Sequence, residues 1–479
     1  MRAKENIIPI DSDVQKYLND GQIILDNDVA TAFKELRIAT LLNAGKIKKR
    51  TGHCVNRIVF ELFLIPFLMF SNVYLFVHAQ YEKAVSHKNR FYRLLENANY
   101  NWRKFQLNLS YRVHQKITQE LPSELFFVLD ETIVEVKGKL IEMASYVYDH
   151  TVGKSVLGFE KLVLGLFDDN HFIPIGQRIC TSKRRPEAKS KATKYNKVPK
   201  SERIAANSPG AIERAEATQS KLDKAFSLLK QAKNKGFGAS TLLMDSWFCF
   251  NCFLIKVVTQ LKLNVICQLK NLPRTNKYLY TGQTYSLKTL FTGVAEPKLR
   301  MVKKYQFKQA IVTVSLPNSD VKLKIVFVQN PEQDKWYAFA ATNPNLSAEA
   351  ILSAYSKRWS IEVYFKNSKQ YLNLGKEQMS NLDSIIASDA LVMMRYTILT
   401  YLAAKNKARF YPTFDTLRDQ NTKQCFGVKL LQFFLNQLRF VIKKVAQLIE
   451  LDLKEQAIKL LQKIENLTIN SQQLQPQMK

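Results

Sequence analysis

The sequence of 479 residues predicts an α/β protein: a mixed sheet flanked by helices, a β-rich insertion, and all-helical regions at both ends. Three observations carry this fold class. Two apolar runs, residues 125–129 and 241–244, end in Asp130 and Asp245, as strands buried on both faces of a sheet do. Between about 272 and 343 helical periodicity nearly vanishes, and strand-like runs alternate with Pro and Asn turns such as Pro317-Asn318-Ser319-Asp320. From Ser347 onward the pattern is helical again, with Ser347 placed as an N-cap and Glu349 in the first turn.

In chain order, residues 1–118 alternate polar linkers with helical patterns. The apolar stretch 58–77 has the length of a membrane span, but Glu61, Pro66, Ser71 and Asn72 interrupt it. Two buried helical pieces broken near Pro66 are the better reading, and no membrane partner or secretory leader is expected. A helix beginning near Ser86 would carry Lys88, Arg90 and Arg93 on its outer face, followed by the aromatic and basic cluster Trp102-Arg103-Lys104-Phe105. Such a helix suits a DNA groove and such a cluster the phosphate backbone. An ordinary helical bundle with a basic surface is the plain alternative.

Residues 119–271 read as the first part of a core sheet. Strands are expected at 125–130, 140–148, 159–167 and 171–175, a helix over 211–233, a strand ending at Asp245, and a last strand over 264–270. The segment 181–203, which includes Arg184 and Arg185, carries nine cations against Glu187 and Glu202 and reads as a basic loop able to neutralise phosphates. The β-rich block 272–343 should hold strands at 311–316, 322–329 and 336–341. Residues 344–404 would supply the core helices, and 405–479 a further helical region suited to dimerisation.

The whole chain sets limits on partners. Its 71 Lys and Arg against 41 Asp and Glu give a formal charge of +30, spread along the length, which points to a polyanion. Six cysteines without regular spacing argue for a reducing, cytoplasmic compartment and no disulfide framework. The lone Cys249-x-x-Cys252 pair has no histidine near it in sequence, and buried thiols explain it better than zinc.

The chemistry concentrates in one stretch. Tyr355, Arg358, Glu362 and Lys369 are offset by 3, 7 and 14 residues, and on one continuous helix they fall within a face roughly 60° wide. Alone, this is a solvated face with an i, i+4 ion pair. Together with Asp130 and Asp245, Glu362 completes three hard oxygen donors, the set that a pair of Mg²⁺ ions needs for phosphoryl transfer. Lys366 lies on the same helix, and Trp247, two residues past Asp245, is a candidate stacking surface.

These residues resemble a known family. Asp130-Glu131-Thr132, Asp245-Ser246-Trp247-Phe248 and Tyr355-x2-Arg358-x3-Glu362-x6-Lys369 are similar to the DDE transposases of bacterial insertion sequences, in the cut-and-paste group with the Tyr-Arg-Glu-Lys signature. Residues 159–165 and 173–175 resemble that group's second and third core strands. The resemblance implies a ribonuclease-H-like core with an inserted β subdomain. It further implies a helical N-terminal domain that binds terminal inverted repeats, catalysis by two Mg²⁺ ions (Mn²⁺ able to substitute), hairpin ends, and a homodimer on double-stranded DNA, nucleoid-associated in a bacterial cytoplasm. Asp130, Asp245 and Glu362 would be catalytic and metal-holding, with Tyr355, Arg358 and Lys369 on DNA. The competing readings are a catalytically silent DNA-binding repressor and a structure-selective nuclease of the same fold.

Overall fold

The computed structural model describes residues 29–49, 54–67, 70–79, 88–117, 124–138, 140–183, 204–332, 335–376 and 378–405, with 185, 187, 189 and 191. The expected C-terminal region 405–479, apart from its first residue, lies outside them, as do Ser86, Arg184 and most of the basic loop. Two compact units divide the chain: residues 1–94 with 398–479, and residues 95–397.

Within the first unit are α1 (Thr31–Glu35), α2 (Ile38–Ala44), α3 (Val55–Leu64) and α4 (Val73–Ala79). Helix α5 (Lys88–Leu95) follows. Helix α3 buries Ile58, Val59, Leu62 and Phe63, and Phe33 meets Phe60 and Phe63 edge to face at 5.0 and 5.4 Å. The apolar stretch 58–77 is thus two helical pieces interrupted around Pro66, in the manner its polar breaks and its proline require. Among the described residues, one helix, α13 (Leu382–Lys405), is long and apolar enough to cross a membrane, and 94% of its apolar window is buried inside the protein.

The second unit is built on one mixed sheet. Its core strands are β1 (Phe126–Glu135), β2 (Ser145–Asp149), β3 (Lys154–Phe167), β4 (Phe172–Cys180), β5 (Thr241–Met244) and β6 (Asn264–Gln268). Strands β4, β3 and β1 run antiparallel side by side, and β5 and β6 continue parallel to β1. This order, with helices on the sheet, is consistent with a ribonuclease-H-like DDE fold. Phe126, Phe127, Val128, Leu129, Leu242, Leu243 and Met244 are all buried, which is why these runs carry no polar alternation. Between β3 and β4 the register shifts at Leu164/Gly165. A Cβ on Gly165 would lie 2.1 Å from the Phe172 ring, so only glycine permits that crossing.

The β-rich block holds β7 (Tyr278–Tyr280), β8 (Gln283–Tyr285), β9 (Arg300–Val302), β10 (Phe307–Ser315), β11 (Lys322–Gln329) and β12 (Trp336–Ala341). These strands do not form a sheet of their own. β12 pairs antiparallel with β6, and the block extends the core sheet.

Three expectations change at this level. The helix expected over 211–233 is two: α7 (Pro209–Ala217) and α8 (Lys221–Lys235), the second restarted by Ser220, whose side chain accepts from the Asp223 backbone N–H. Residues 140–144 are not strand, and β2 starts at Ser145. Helix α6 (Trp102–Ile117), expected in an N-terminal DNA-binding domain ending at 118, packs on β4 in the second unit. There Ser110 Oγ and Gln106 Nε2 donate to the Pro174 carbonyl at 2.7 and 3.1 Å, satisfying a backbone oxygen beside the register shift.

Candidate active site

Strands β1 and β5 are parallel neighbours in the register Leu129↔Met244, so Asp130 and Asp245 are the next residue of each. Asp245 leaves its strand as the N-cap of a short 3₁₀ turn, accepting from the Trp247 N–H at 3.4 Å. Strand β1, expected to end at Asp130, runs on to Glu135 along β3, so the two carboxylates stand side by side where β1 and β5 part, beyond the carboxyl end of β5, the position at which α/β proteins bind ligands.

Glu362 arrives on α12 (Trp359–Tyr371), which packs on β1 and β4. The single helix expected to carry Tyr355, Arg358, Glu362 and Lys369 is interrupted. Helix α11 (Ala348–Ser356), capped by Ser347, ends at a tight turn in which Lys357 and Arg358 donate their N–H groups three residues back, to Ala354 and Tyr355. Arg358 then caps α12, and Glu362 falls in its first turn, where the helix dipole favours a carboxylate.

At the centre lies Arg358. Its Nη1 donates to Asp130 Oδ2 at 2.5 Å and its Nη2 to Glu362 Oε1 at 2.6 Å. The other Asp130 oxygen, Oδ1, accepts from the Glu131 backbone N–H at 2.8 Å. Burial pushes the Asp130 carboxyl up to about 7; Arg358 opposes this, and the charges of Asp245 and Glu362 add to it. Asp130 therefore feels the charge of both other acids. Tyr355 completes the group: its hydroxyl donates to Gln268 Oε1 at 3.3 Å, and its ring lies 5.7 Å from the Arg358 guanidinium carbon. Burial raises the phenol to about 12, so it is a neutral donor at physiological pH.

Among the described residues, no three Asp, Glu, His or Cys side chains stand close enough together to hold a metal ion as they are. The donor set nonetheless fits a hard divalent cation. Asp130 and Glu362 already share a cation in the guanidinium, both offering carboxylate oxygens.

On the other side of Asp245, Trp247 is half-buried and one face of its indole is covered by the Lys221 ammonium, 3.7 Å from the ring centroid. Lys221 also bridges Glu131 and Glu160, each at 2.6 Å. The other expected residues are scattered. Lys366 and Lys369 are exposed on α12, and Arg185 is exposed in the basic loop. Lys88 lies 5.9 Å from the Tyr74 ring centroid, Arg90 is half-buried and Arg93 exposed. Lys49, which sequence reading passed over, is held below the usual lysine range by burial and then by Arg90 and Arg93, so three cations converge there.

Trp102 and Arg103 do not form a DNA-facing cluster. Trp102 is buried, 3% exposed, and Arg103 ion-pairs with Glu213 and with Glu216 Oε2, the latter at 2.5 Å. An aromatic–basic pattern on a helix fits a protein core with buried acids as well as it fits a phosphate backbone. Sequence reading also missed Trp359, 63% exposed beside Arg358, because hydrophobicity alone assigns a tryptophan to the interior.

Two family models match the chain. "DDE superfamily endonuclease" covers residues 77–274, and "Archaeal putative transposase ISC1217" covers residues 212–407. Asp130 falls in the first, Glu362 in the second, and Asp245 in both. No curated protein matches.

Proposed function

Because the two matches make this chain a DNA-cleaving enzyme of the DDE transposase type, we propose that Asp130, Asp245 and Glu362 are its catalytic acids, holding two Mg²⁺ ions, with Mn²⁺ able to substitute. One observation carries the reading: Asp130 and Asp245 stand side by side where the parallel pairing of β1 and β5 stops, and one guanidinium ties Asp130 to Glu362. DDE superfamily nucleases use divalent ions. Bound here, such ions would activate a water or a 3′-hydroxyl for in-line attack and stabilise the leaving oxygen.

The chain's own residues do the positioning. Arg358 offers a planar fork to a phosphate and Lys369 a point charge. Tyr355, kept protonated, donates a hydrogen bond near the scissile bond, holding the distorted end while a hairpin forms. The exposed Trp359 indole, and the free side of Trp247, are flat surfaces on which an unpaired base can stack. The cations of the first unit, with Lys49, Arg90 and Arg93 converging, would bind the terminal inverted repeats. Lys88 and the basic loop with Arg184 and Arg185 would add phosphate contacts. This reading includes a homodimer on the paired ends, as in the Tyr-Arg-Glu-Lys cut-and-paste group of bacterial insertion sequences. Trp102 and Arg103 are left out of the DNA contacts, since Trp102 is buried and Arg103 is engaged by Glu213 and Glu216.

One time course tests the proposal, using a duplex that carries the end flanking the gene and resolving nicked, hairpin and joined products. Asp130→Asn, Asp245→Asn and Glu362→Gln should each lose nicking by about 10³-fold or more with end binding retained. Tyr355→Ala and Lys369→Ala should slow the later products more than the first nick. Wild-type-like nicking by any carboxylate variant would remove that residue from the site, and no hairpin from wild-type protein would remove the hairpin route.

A further inference from the structure

Two independent features of Arg358 bear on how the site is armed. The guanidinium uses the same oxygens that a metal would need, Asp130 Oδ2 and Glu362 Oε1, while the second Asp130 oxygen is engaged by backbone. Metal and guanidinium therefore compete. The arginine is also incompletely satisfied: its Nε is buried and has no hydrogen-bond partner among the described residues, and it makes only one bond to each carboxylate. A phosphate group offers what the two acids do not, a pair of oxygens matched to the planar fork of one guanidinium. Side-chain exposures of 14% for Arg358 and 35% for Glu362 leave the pair within reach of a ligand from solvent.

We infer that Arg358 is an exchangeable counter-cation, which holds Asp130 and Glu362 until a DNA phosphate takes its guanidinium, so that metal binds tightly only on the DNA complex. The inference rests on the proposed metal-holding role of Asp130 and Glu362 and adds a linkage to it. Removing Arg358 from the carboxylates leaves a strongly negative group that a divalent cation neutralises, and metal already bound repels Arg358 toward phosphate. By reciprocity, DNA tightens metal and metal tightens DNA by the same factor. Arg358 acts here as a positioning residue, working through the acids, and the coupling delays metal loading until a DNA end is seated.

The test measures Mn²⁺ affinity of the full-length protein by electron paramagnetic resonance at fixed pH, alone and with a pre-cleaved end duplex closed by a 3′-dideoxynucleotide, which leaves no hydroxyl to react. For wild type the duplex should tighten Mn²⁺ by about 10-fold or more, within the usual range of allosteric coupling. Arg358→Ala should bind Mn²⁺ without DNA about as tightly as wild type does with it, and the duplex should then add less than about 2-fold. Arg358→Gln, which keeps hydrogen-bonding capacity without charge, should behave the same way and serves if the alanine variant fails to fold. Mn²⁺ affinity unchanged by both substitutions, with the duplex effect intact, would overturn the exchange. Asp130→Asn separates the two levels: if it leaves Mn²⁺ binding untouched, the metal assignment itself fails, whereas if it abolishes binding while Arg358 variants stay wild-type-like, only the exchange fails.

Discussion

Of the arginines in the second unit that join two carboxylates, Arg214 and Arg358 do so in opposite ways. Arg214 of α7 donates from Nε and Nη2 to the two oxygens of Glu142, from Nη1 and Nη2 to the two oxygens of Asp383, and from Nη1 to the Gly210 carbonyl, all between 2.7 and 3.0 Å. Five N–H groups have five acceptors. Glu142 is 1% exposed and also accepts from the Leu382 N–H at 2.8 Å. Arg358 makes two bonds, leaves Nε unpartnered, and ties acids that are more open to solvent. The same three charges give a finished staple in one place and an unfinished contact in the other. Bonds outstanding do not by themselves mark an exchangeable contact, because Arg103 also leaves its Nε unpartnered between Glu213 and Glu216; what sets Arg358 apart is that the acids it holds are the candidate metal ligands.

That contrast yields graded predictions. The largest loss of stability should come from Arg214→Met, which strands two buried carboxylates and should cost about 3–5 kcal/mol in urea unfolding. If it costs no more than Arg358→Met, the distinction between the clusters is wrong. Lys221→Met is intermediate. It keeps an apolar stem on Trp247 but removes the ammonium between Glu131 and Glu160, and should cost about 1–3 kcal/mol, less than Arg214→Met because these acids are more exposed. A loss equal to that of Arg214→Met would mean that this bridge, too, is a staple.

The smallest effect concerns Asp168, between β3 and β4. Burial works against its charge, but the side-chain and backbone hydrogen bonds of His171, with the Asn170 N–H, hold it below the ordinary aspartate range. A depressed carboxylate stabilises the fold above its unfolded pKa, and that contribution is lost as pH falls through its folded value. Asp168→Asn should therefore cost about 1–2 kcal/mol at pH 7. The gap to wild type should shrink in urea titrations as pH falls below about 4. A gap that widens with acid would mean that His171 does not stabilise the charged form.

Local pattern reached a good part of this molecule. Strands β11 and β12 lie where alternating and continuous apolar runs place them, between Pro and Asn turns. Ser347 caps α11 through the Ala350 N–H at 3.1 Å. Where local rules were applied over too long a span they failed: apolar periodicity carries across Thr218–Ser220, and across Lys357–Arg358, without marking that the helix stops and restarts. At the second place both residues keep right-handed helical dihedrals, so the break consists only of a tighter hydrogen bond and leaves no Pro or Gly to read.

By itself the sequence determined which residues could do chemistry and which segments could be strands, because a carboxylate that follows an apolar run marks both a buried strand and a polar group held beside it, although β1 runs on past Asp130 to Glu135. It also determined the cationic surplus, since charge is a sum over residues. Which cation faces which anion was decided only by the tertiary structure. Arg103 and Arg358 are both followed in sequence by helix, yet packing turned one onto Glu213 and Glu216 inside the protein and set the other between Asp130 and Glu362 at the opening of the sheet. Electrostatic pairing depends on distances between elements far apart in sequence, here 110 residues for Arg103 and Glu213 and 228 for Arg358 and Asp130, and no local pattern encodes them.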